Sequence, residues 1–355
     1  MVTTIGGLAL GLLLGYALQR GGYCMNTAFR SFFLEKDRSL VRAWVLILLI
    51  NIVGVRLLAD FGVIGTQTAP LFWPALVVGG LMFGAGMVLA GGCASGTYYR
   101  CGRGMLGSVA ALVGFVIGTT VVDGGALLGI QSALRAPTIE IGGSSAPTLY
   151  SLLGIQGALG RWILIAVLAV PAALWLLRAP KQKWLIGWSW KRTGALVGVL
   201  ALLAWVLSAM DGRDYGLSFT QPTVALARFL LTGDASGISV ASFIVLAVPV
   251  GAFLAAKAAG EAVFRLPDAS RLVRQSGGGL AMGVGASIAG GCNVGHSITG
   301  VSTLGLGSIA ATLFIMLGCW AMTWLIYRAE MRAMEAAQQA AGGSVPMQPV
   351  EAKSS

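Results

Sequence analysis

Apolar runs of membrane-crossing length alternate with short polar connectors along almost the whole chain. Nine stretches are long or apolar enough to span a bilayer at about twenty residues each: 2–19, 40–59, 75–92, 104–122, 151–177, 193–210, 239–257, 276–292 and 304–327. Two shorter apolar stretches, 24–34 and 221–231, are too brief to cross and read as re-entrant or interfacial half-helices. The segment from Met331 to Ser355 mixes Ala, Gln, Gly, Ser and Pro without an apolar period, and is expected to be a disordered tail. The pattern predicts an all-α polytopic membrane protein.

Composition narrows the class further. Apolar residues make up 56% of the 355 positions and charged residues 10%, against roughly 25% charged in a soluble domain. The mean hydropathy is +0.82. Gly fills 52 positions, roughly twice ordinary usage, which suits closely packed or broken membrane helices. A soluble enzyme, a nucleic-acid-binding module and a disordered chain are excluded, so no nucleic-acid partner is expected. Met1 to Leu18 lacks a basic leader and a small-residue cleavage site, and reads as the first span.

Charge sets the expected sidedness. Lys and Arg total 24 and Asp and Glu 13, a formal net charge of +11. Basic residues cluster at Arg20–Arg42, Arg178–Arg192, Lys257–Arg274 and from Arg328 onward. Placing all four clusters in the cytoplasm requires nine crossings, with the N-terminus outside and the C-terminus inside. The loops 66–74 and 123–150 then fall outside, and Arg213 and Arg228 are left as outer-side exceptions. The same positive excess fits attraction to anionic lipid and equally an anionic substrate.

An internal repeat stands out. Residues 79–96 read GGLMFGAGMVLAGGCASG and 278–295 read GGLAMGVGASIAGGCNVG, identical at 10 of 18 positions. The match resumes at Gly107-Ser108-Val109-Ala110-Ala111 against Gly307-Ser308-Ile309-Ala310-Ala311. By the expected sidedness the first block runs outside to inside and the second inside to outside, so the copies are inverted, as in many transporters. This divides the chain into a first half with a cytoplasmic linker (1–190), a second half (191–330) and a tail (331–355). Gly91-Gly92 and Gly290-Gly291 allow the backbone to leave the helix before each cysteine. A short helix restarting there would turn free amides and a positive dipole end toward an anion. Small-residue helix packing is the plainer explanation of Gly-Gly-Cys, but it does not account for repetition of the whole block.

The five cysteines, Cys24, Cys93, Cys101, Cys292 and Cys319, are odd in number and scattered through apolar sequence, which argues against a disulfide framework. Cys24 lies in LQRGGYCMNTAFR, Cys93 in LAGGCASGTYYRCGRG and Cys292 in IAGGCNVGHS, and residues 216–223 read GLSFTQPT. With these motifs the chain resembles the YeeE/YedE sulfur-transport family, nearer to its YeeE-type thiosulfate-uptake branch, over about residues 5 to 327. The resemblance implies an hourglass-shaped bacterial inner-membrane permease with inverted halves. It also implies thiosulfate as the transported ion, Cys24, Cys93 and Cys292 lining the path, and a small cytosolic TusA-like sulfur-carrier protein as a partner. The YedE branch, linked to selenium metabolism, leaves a selenium compound or another sulfur oxyanion as alternatives. Cys101 and Cys319 match no family motif and read as buried small side chains.

Thiosulfate carries two charges, three oxygens and one large polarizable sulfur. A neutral thiol is a weak donor, and weak stops suit conduction because each must admit the ion without holding it. The expected order is Cys292 outermost, Cys93 near the centre or inner half, and Cys24 inside. Gly92, Gly291, Asn26, Thr97, Asn293 and His296 are further candidates for contacts to the ion, with His296 placed on an outer loop. Arg100 and Arg103 either draw the anion inward or anchor the chain at the inner face. No cofactor or metal is expected. A membrane thiol redox protein is the competing class, against which stands the lack of a C-x-x-C, a paired-histidine haem site or a nucleotide fingerprint.

Overall fold

The computed structural model describes residues 2–34, 38–180 and 187–340. It is helical throughout these, with only isolated β-bridges. The first six helices are α1 (Val2–Gly21), α2 (Met25–Leu34), α3 (Ser39–Asp60), α4 (Trp73–Ala90), α5 (Ala94–Arg103) and α6 (Leu106–Asp123). Then come α7 (Leu128–Arg135), α8 (Leu149–Leu152) and α9 (Ala158–Leu177). The chain closes with α10 (Trp190–Met210), α11 (Thr220–Thr232), α12 (Val240–Ala258), α13 (Ala269–Ala289), a π-helical turn (Gly295–Gly300) and α14 (Leu306–Ala340).

Among the described residues, eight helical segments are long and apolar enough to cross a membrane. The remaining expected crossing, 276–292, falls largely in α13, which is long enough but carries Arg271, Arg274 and Gln275 in its first turns and is rich in Gly. Its central position between α4 and α6 removes the need for an apolar lipid-facing surface. The two expected half-helices are α2 and α11. Outside, α9 exposes Ile163, Val167, Val170 and Leu174, an apolar face suited to lipid. The protein is a multi-pass membrane protein.

Two boundaries differ from expectation. The span predicted from residue 151 begins at Ala158, because Gly154 turns the chain at φ +66° and α8 ends before it. The tail predicted to be disordered from Met331 continues α14 to Ala340; its Ala, Glu, Met and Gln side chains are good helix formers. The rest of that tail, 341–355, lies outside the described residues.

The packing partners come in matched sets. α1 packs on α12 and α10 on α3; α6 packs on α13 and α14 on α4; α2 packs on α3 and α11 on α12; α11 packs on α6 and α14 on α2. Each contact is exchanged for its counterpart when α1–α6 are swapped with α10–α14, and α4 pairs with its own counterpart α13. Glycines make these approaches possible: Gly11 and Gly15 of α1 lie directly on the carbonyls of Ile244 and Val248 of α12, where a Cβ would collide with backbone. This accounts for much of the Gly excess as close helix contact. The two arginines left as exceptions by the expected sidedness also have partners. Arg213 donates to Ser239 Oγ, and Arg228 pairs with Asp234 at 3.8 Å.

Candidate functional site

Four short helices begin in the interior. α4 stops at Gly91, which takes the left-handed conformation at φ +75°, and α13 stops in the same way at Gly290, φ +87°. The chain then turns and restarts after a cysteine. The carbonyl of Cys93 accepts the first helical bond of α5 from the Thr97 amide at 2.8 Å, and that of Cys292 accepts from the His296 amide at 2.9 Å. The carbonyl of Cys24 plays the same part for α2, accepting from Ala28 at 3.0 Å, and that of Phe219 for α11, accepting from Thr223 at 3.2 Å. All three cysteines are fully buried, as is Phe219. Three thiols and one phenyl ring thus stand at the amide-rich ends of four interior helices, where partial positive charge gathers.

Cys24 and Cys93 are in direct contact, with 3.6 Å between sulfurs. The Cys93 amide donates to the Cys24 sulfur at 3.5 Å, and the Gly96 amide to the Cys93 sulfur at 3.4 Å. Ser95 Oγ lies 3.5 Å from the same sulfur. Gly96 is required here: a Cβ would stand 2.7 Å from the Cys24 sulfur and 3.3 Å from that of Cys93. The expected order treated Cys24 and Cys93 as separate stations, whereas the structure joins them in one pair. Cys292 is in the same buried cluster, but its thiol makes no hydrogen bond to a described residue.

The other sequence candidates divide. Thr97 caps back onto the Cys93 carbonyl at 3.0 Å, and Gly92 leaves room for the Arg100 guanidinium, whose Nη1 would be 3.3 Å from a Cβ there. Arg100 donates to the Gly91 carbonyl and lies over the Tyr99 ring at 5.8 Å. No carboxylate pairs with it among the described residues, so it is an uncompensated cation beside the thiol pair. Arg103 belongs to the far end of α5 and donates to the Glu261 carbonyl at 3.3 Å, which makes it an anchor rather than part of the site. Asn26 turns toward Cys319, whose sulfur is 3.7 Å from Oδ1. Asn293 donates to the Met25 sulfur at 3.0 Å, and its Oδ1 is buried without a partner among the described residues.

His296 is not on an outer loop. It is fully buried in the π-helical turn, with Nε2 3.1 Å from the Ala289 carbonyl and Nδ1 3.2 Å from Ser308 Oγ. A carbonyl only accepts, so Nε2 carries the proton and Nδ1 accepts from Ser308. Gly291 gives the ring its place, since a Cβ there would be 3.1 Å from Nε2. Both ring nitrogens are thereby used in holding the turn that follows Cys292.

Sequence reasoning did not name Tyr23, Ser95, Gly96, Tyr98, Leu217 or Phe219 as parts of this centre. Tyr98 hydrogen-bonds Thr223 Oγ1 at 2.7 Å and stacks against Phe219 at 5.3 Å between ring centroids, joining α5 to α11. Tyr23, Ser95, Leu217, Phe219, Val294 and Ile298, all buried, line a small void of about 10 Å³. Every one of these residues lies within a few positions of a quoted motif, but which of them meet depends on tertiary packing. A polar cavity of about 450 Å³, lined by Arg56, Arg161, Thr68, Tyr150, Ser302 and Thr303 among others, adjoins the end of the π-helical turn. Among the described residues no group of His, Cys, Asp and Glu is arranged to hold a metal.

Known proteins resemble this chain along most of its length. The chain is 33% identical over 346 residues to the thiosulfate transporter TsuA of Escherichia coli K12, covering 95% of this chain and 98% of that protein. It is 35% identical over 331 residues to the thiosulfate transporter TsuA of Spirochaeta thermophila, covering 91% and 98%. Likeness to the probable transporter YedE of Escherichia coli K12 is confined to 120 residues, 33% of this chain and 29% of that one, at 32% identity. The sulphur-transport family matches residues 20–321, enclosing all four interior helix starts, and the chain belongs to that family.

Proposed function

We propose that this protein imports thiosulfate across the bacterial inner membrane as an intact anion, handed between the thiols of Cys292, Cys93 and Cys24. The observation that carries the reading is the convergence of these thiols at the N-terminal ends of interior helices. Relatives that cover nearly the whole chain are named as thiosulfate transporters, which supports the choice of ion.

The chemistry of the centre fits the ion. Helix amides and the Arg100 guanidinium offset negative charge in the buried centre. Neutral thiols donate weakly to the terminal sulfur or an oxygen, so no stop becomes a trap. An ionised thiol would oppose entry: at 4 Å and an effective dielectric of 20, each pair of like charges costs about 4 kcal/mol, and the ion carries two. The contact between Cys24 and Cys93 lets one thiol take the ion as the other releases it. A void of about 10 Å³ has room for at most one water, too little for the ion, so passage requires the side chains around Phe219 to separate.

The matched packing sets support two halves that are inverted across the membrane, with the N-terminus outside and the C-terminus in the cytoplasm. Arg100 and Arg103 then lie on the inner side, where Cys24 delivers the ion to the cytosol, and a small TusA-like carrier protein is the partner that accepts its sulfur there. A second reading, a membrane thiol redox protein, draws on the same Cys24–Cys93 contact and would form a disulfide between them. The test is growth of a sulfur-auxotrophic bacterium on thiosulfate as sole sulfur source, with this chain as the only importer. Growth that is lost on deletion supports import, and failure to grow despite a membrane-inserted product opposes it.

A further inference from the structure

The small buried void adjoins all three cysteine motifs. It touches Tyr23, which precedes Cys24, Ser95, two residues after Cys93, and Val294, two residues after Cys292. Its wall is apolar, formed by Leu14, Leu18, Val197 and Phe219 among others, and it is bordered by Tyr23 and Ser95. The Ser95 hydroxyl is in contact with the Cys93 thiol. The Tyr23 side chain is 1% exposed, and its hydroxyl has no hydrogen-bond partner among the described residues. Native interiors seldom leave a buried hydroxyl unpaired, and such a group points to something that pairs with it.

We infer that Tyr23 contacts the substrate: its hydroxyl donates to an oxygen of the passing thiosulfate while the neighbouring Cys24 meets the terminal sulfur. The inference rests on the reading that thiosulfate takes this path. Thiosulfate has a hard, oxygen-bearing end and a soft, sulfur-bearing one, and consecutive residues 23 and 24 offer a hard and a soft neutral donor. The pair recognises both ends of the ion without adding a charge that would hold it. When the side chains around the void separate, the hydroxyl that is idle in the closed state gains its acceptor.

The competing explanation is that Tyr23 only packs the interior and holds the fold. Tyr23→Phe separates the two, because it removes the hydroxyl and keeps the ring. The experiment measures thiosulfate uptake into proteoliposomes and the melting temperature of the purified protein with and without thiosulfate, for parent and Y23F. A substrate contact predicts a KM raised at least fivefold, a thiosulfate-induced rise in melting temperature that is largely lost, and a melting temperature without thiosulfate no lower than the parent's. A parental KM overturns the inference, as does a melting temperature below the parent's or failure of Y23F to accumulate. Absence of uptake by the parent protein would instead count against thiosulfate import itself.

Discussion

The sulfur of Cys24 lies 3.6 Å from that of Cys93 and accepts the Cys93 amide at 3.5 Å, so residues 69 positions apart share one buried thiol site. Loss of either thiol therefore removes half of a shared station. Cys93→Ala is expected to reduce uptake to near background, and Cys93→Ser to retain an intermediate rate, because the hydroxyl keeps a donor but is smaller and less polarizable. Uptake rates of the two variants at equal expression check this. Equal loss in both, with sulfite released, would indicate attack by a thiolate instead.

Gly96 supplies the space for the pair. A methyl group in Gly96→Ala would meet the Cys24 sulfur at 2.7 Å, so the thiols must part or α5 must shift. Helix propensity alone favours Ala over Gly by about 1 kcal/mol, so the fold should tolerate the change. Uptake is expected to fall at least tenfold with unchanged membrane levels. Full uptake by G96A would show that the contact of the two sulfurs is not needed.

Arg100 is expected to act by charge and by its bond to the Gly91 carbonyl. Arg100→Lys keeps the charge and should raise KM modestly, whereas Arg100→Gln should raise it by tenfold or more. Arg103→Gln, at the anchoring end of α5, should leave KM near that of the parent. Kinetics of the three variants in one vesicle preparation compare them, and an equal effect of R100K and R100Q would remove charge from the explanation.

Much of this was legible in the sequence. The apolar spacing located the long helices to within a turn or two, and the Gly-Gly-Cys repeat located two of the interior helix starts. Residue order could not show that Cys24 and Cys93 touch, since α2 and α5 are brought together only by packing. Nor could it show that Phe219, in the quoted GLSFTQPT stretch, meets Tyr98 of α5. His296 was misplaced because a π-helical turn has no apolar period to reveal it, and its polar neighbours Ser297 and Thr299 resemble a loop. The helix to Ala340 was hidden by loss of hydropathy rather than of helix propensity.

Sidedness has a direct test. A single cysteine introduced in the 123–150 loop of a chain lacking reactive surface thiols should be labelled in intact cells by an impermeant thiol reagent. One introduced between Lys181 and Lys191, a connector whose first six residues lie outside those described, should be labelled only after the membrane is opened. The reverse pattern would contradict both the orientation and the inverted arrangement of the halves.

The central claim is that intact thiosulfate crosses through the buried thiols. The most direct measurement follows thiosulfate carrying a labelled terminal sulfur into proteoliposomes and identifies the luminal product, for the parent and for Cys93→Ala. The account predicts intact labelled thiosulfate inside with the parent and near-background accumulation with C93A. Parental accumulation by C93A, or label retained on the protein as a persulfide while unlabelled sulfite is released, would contradict it.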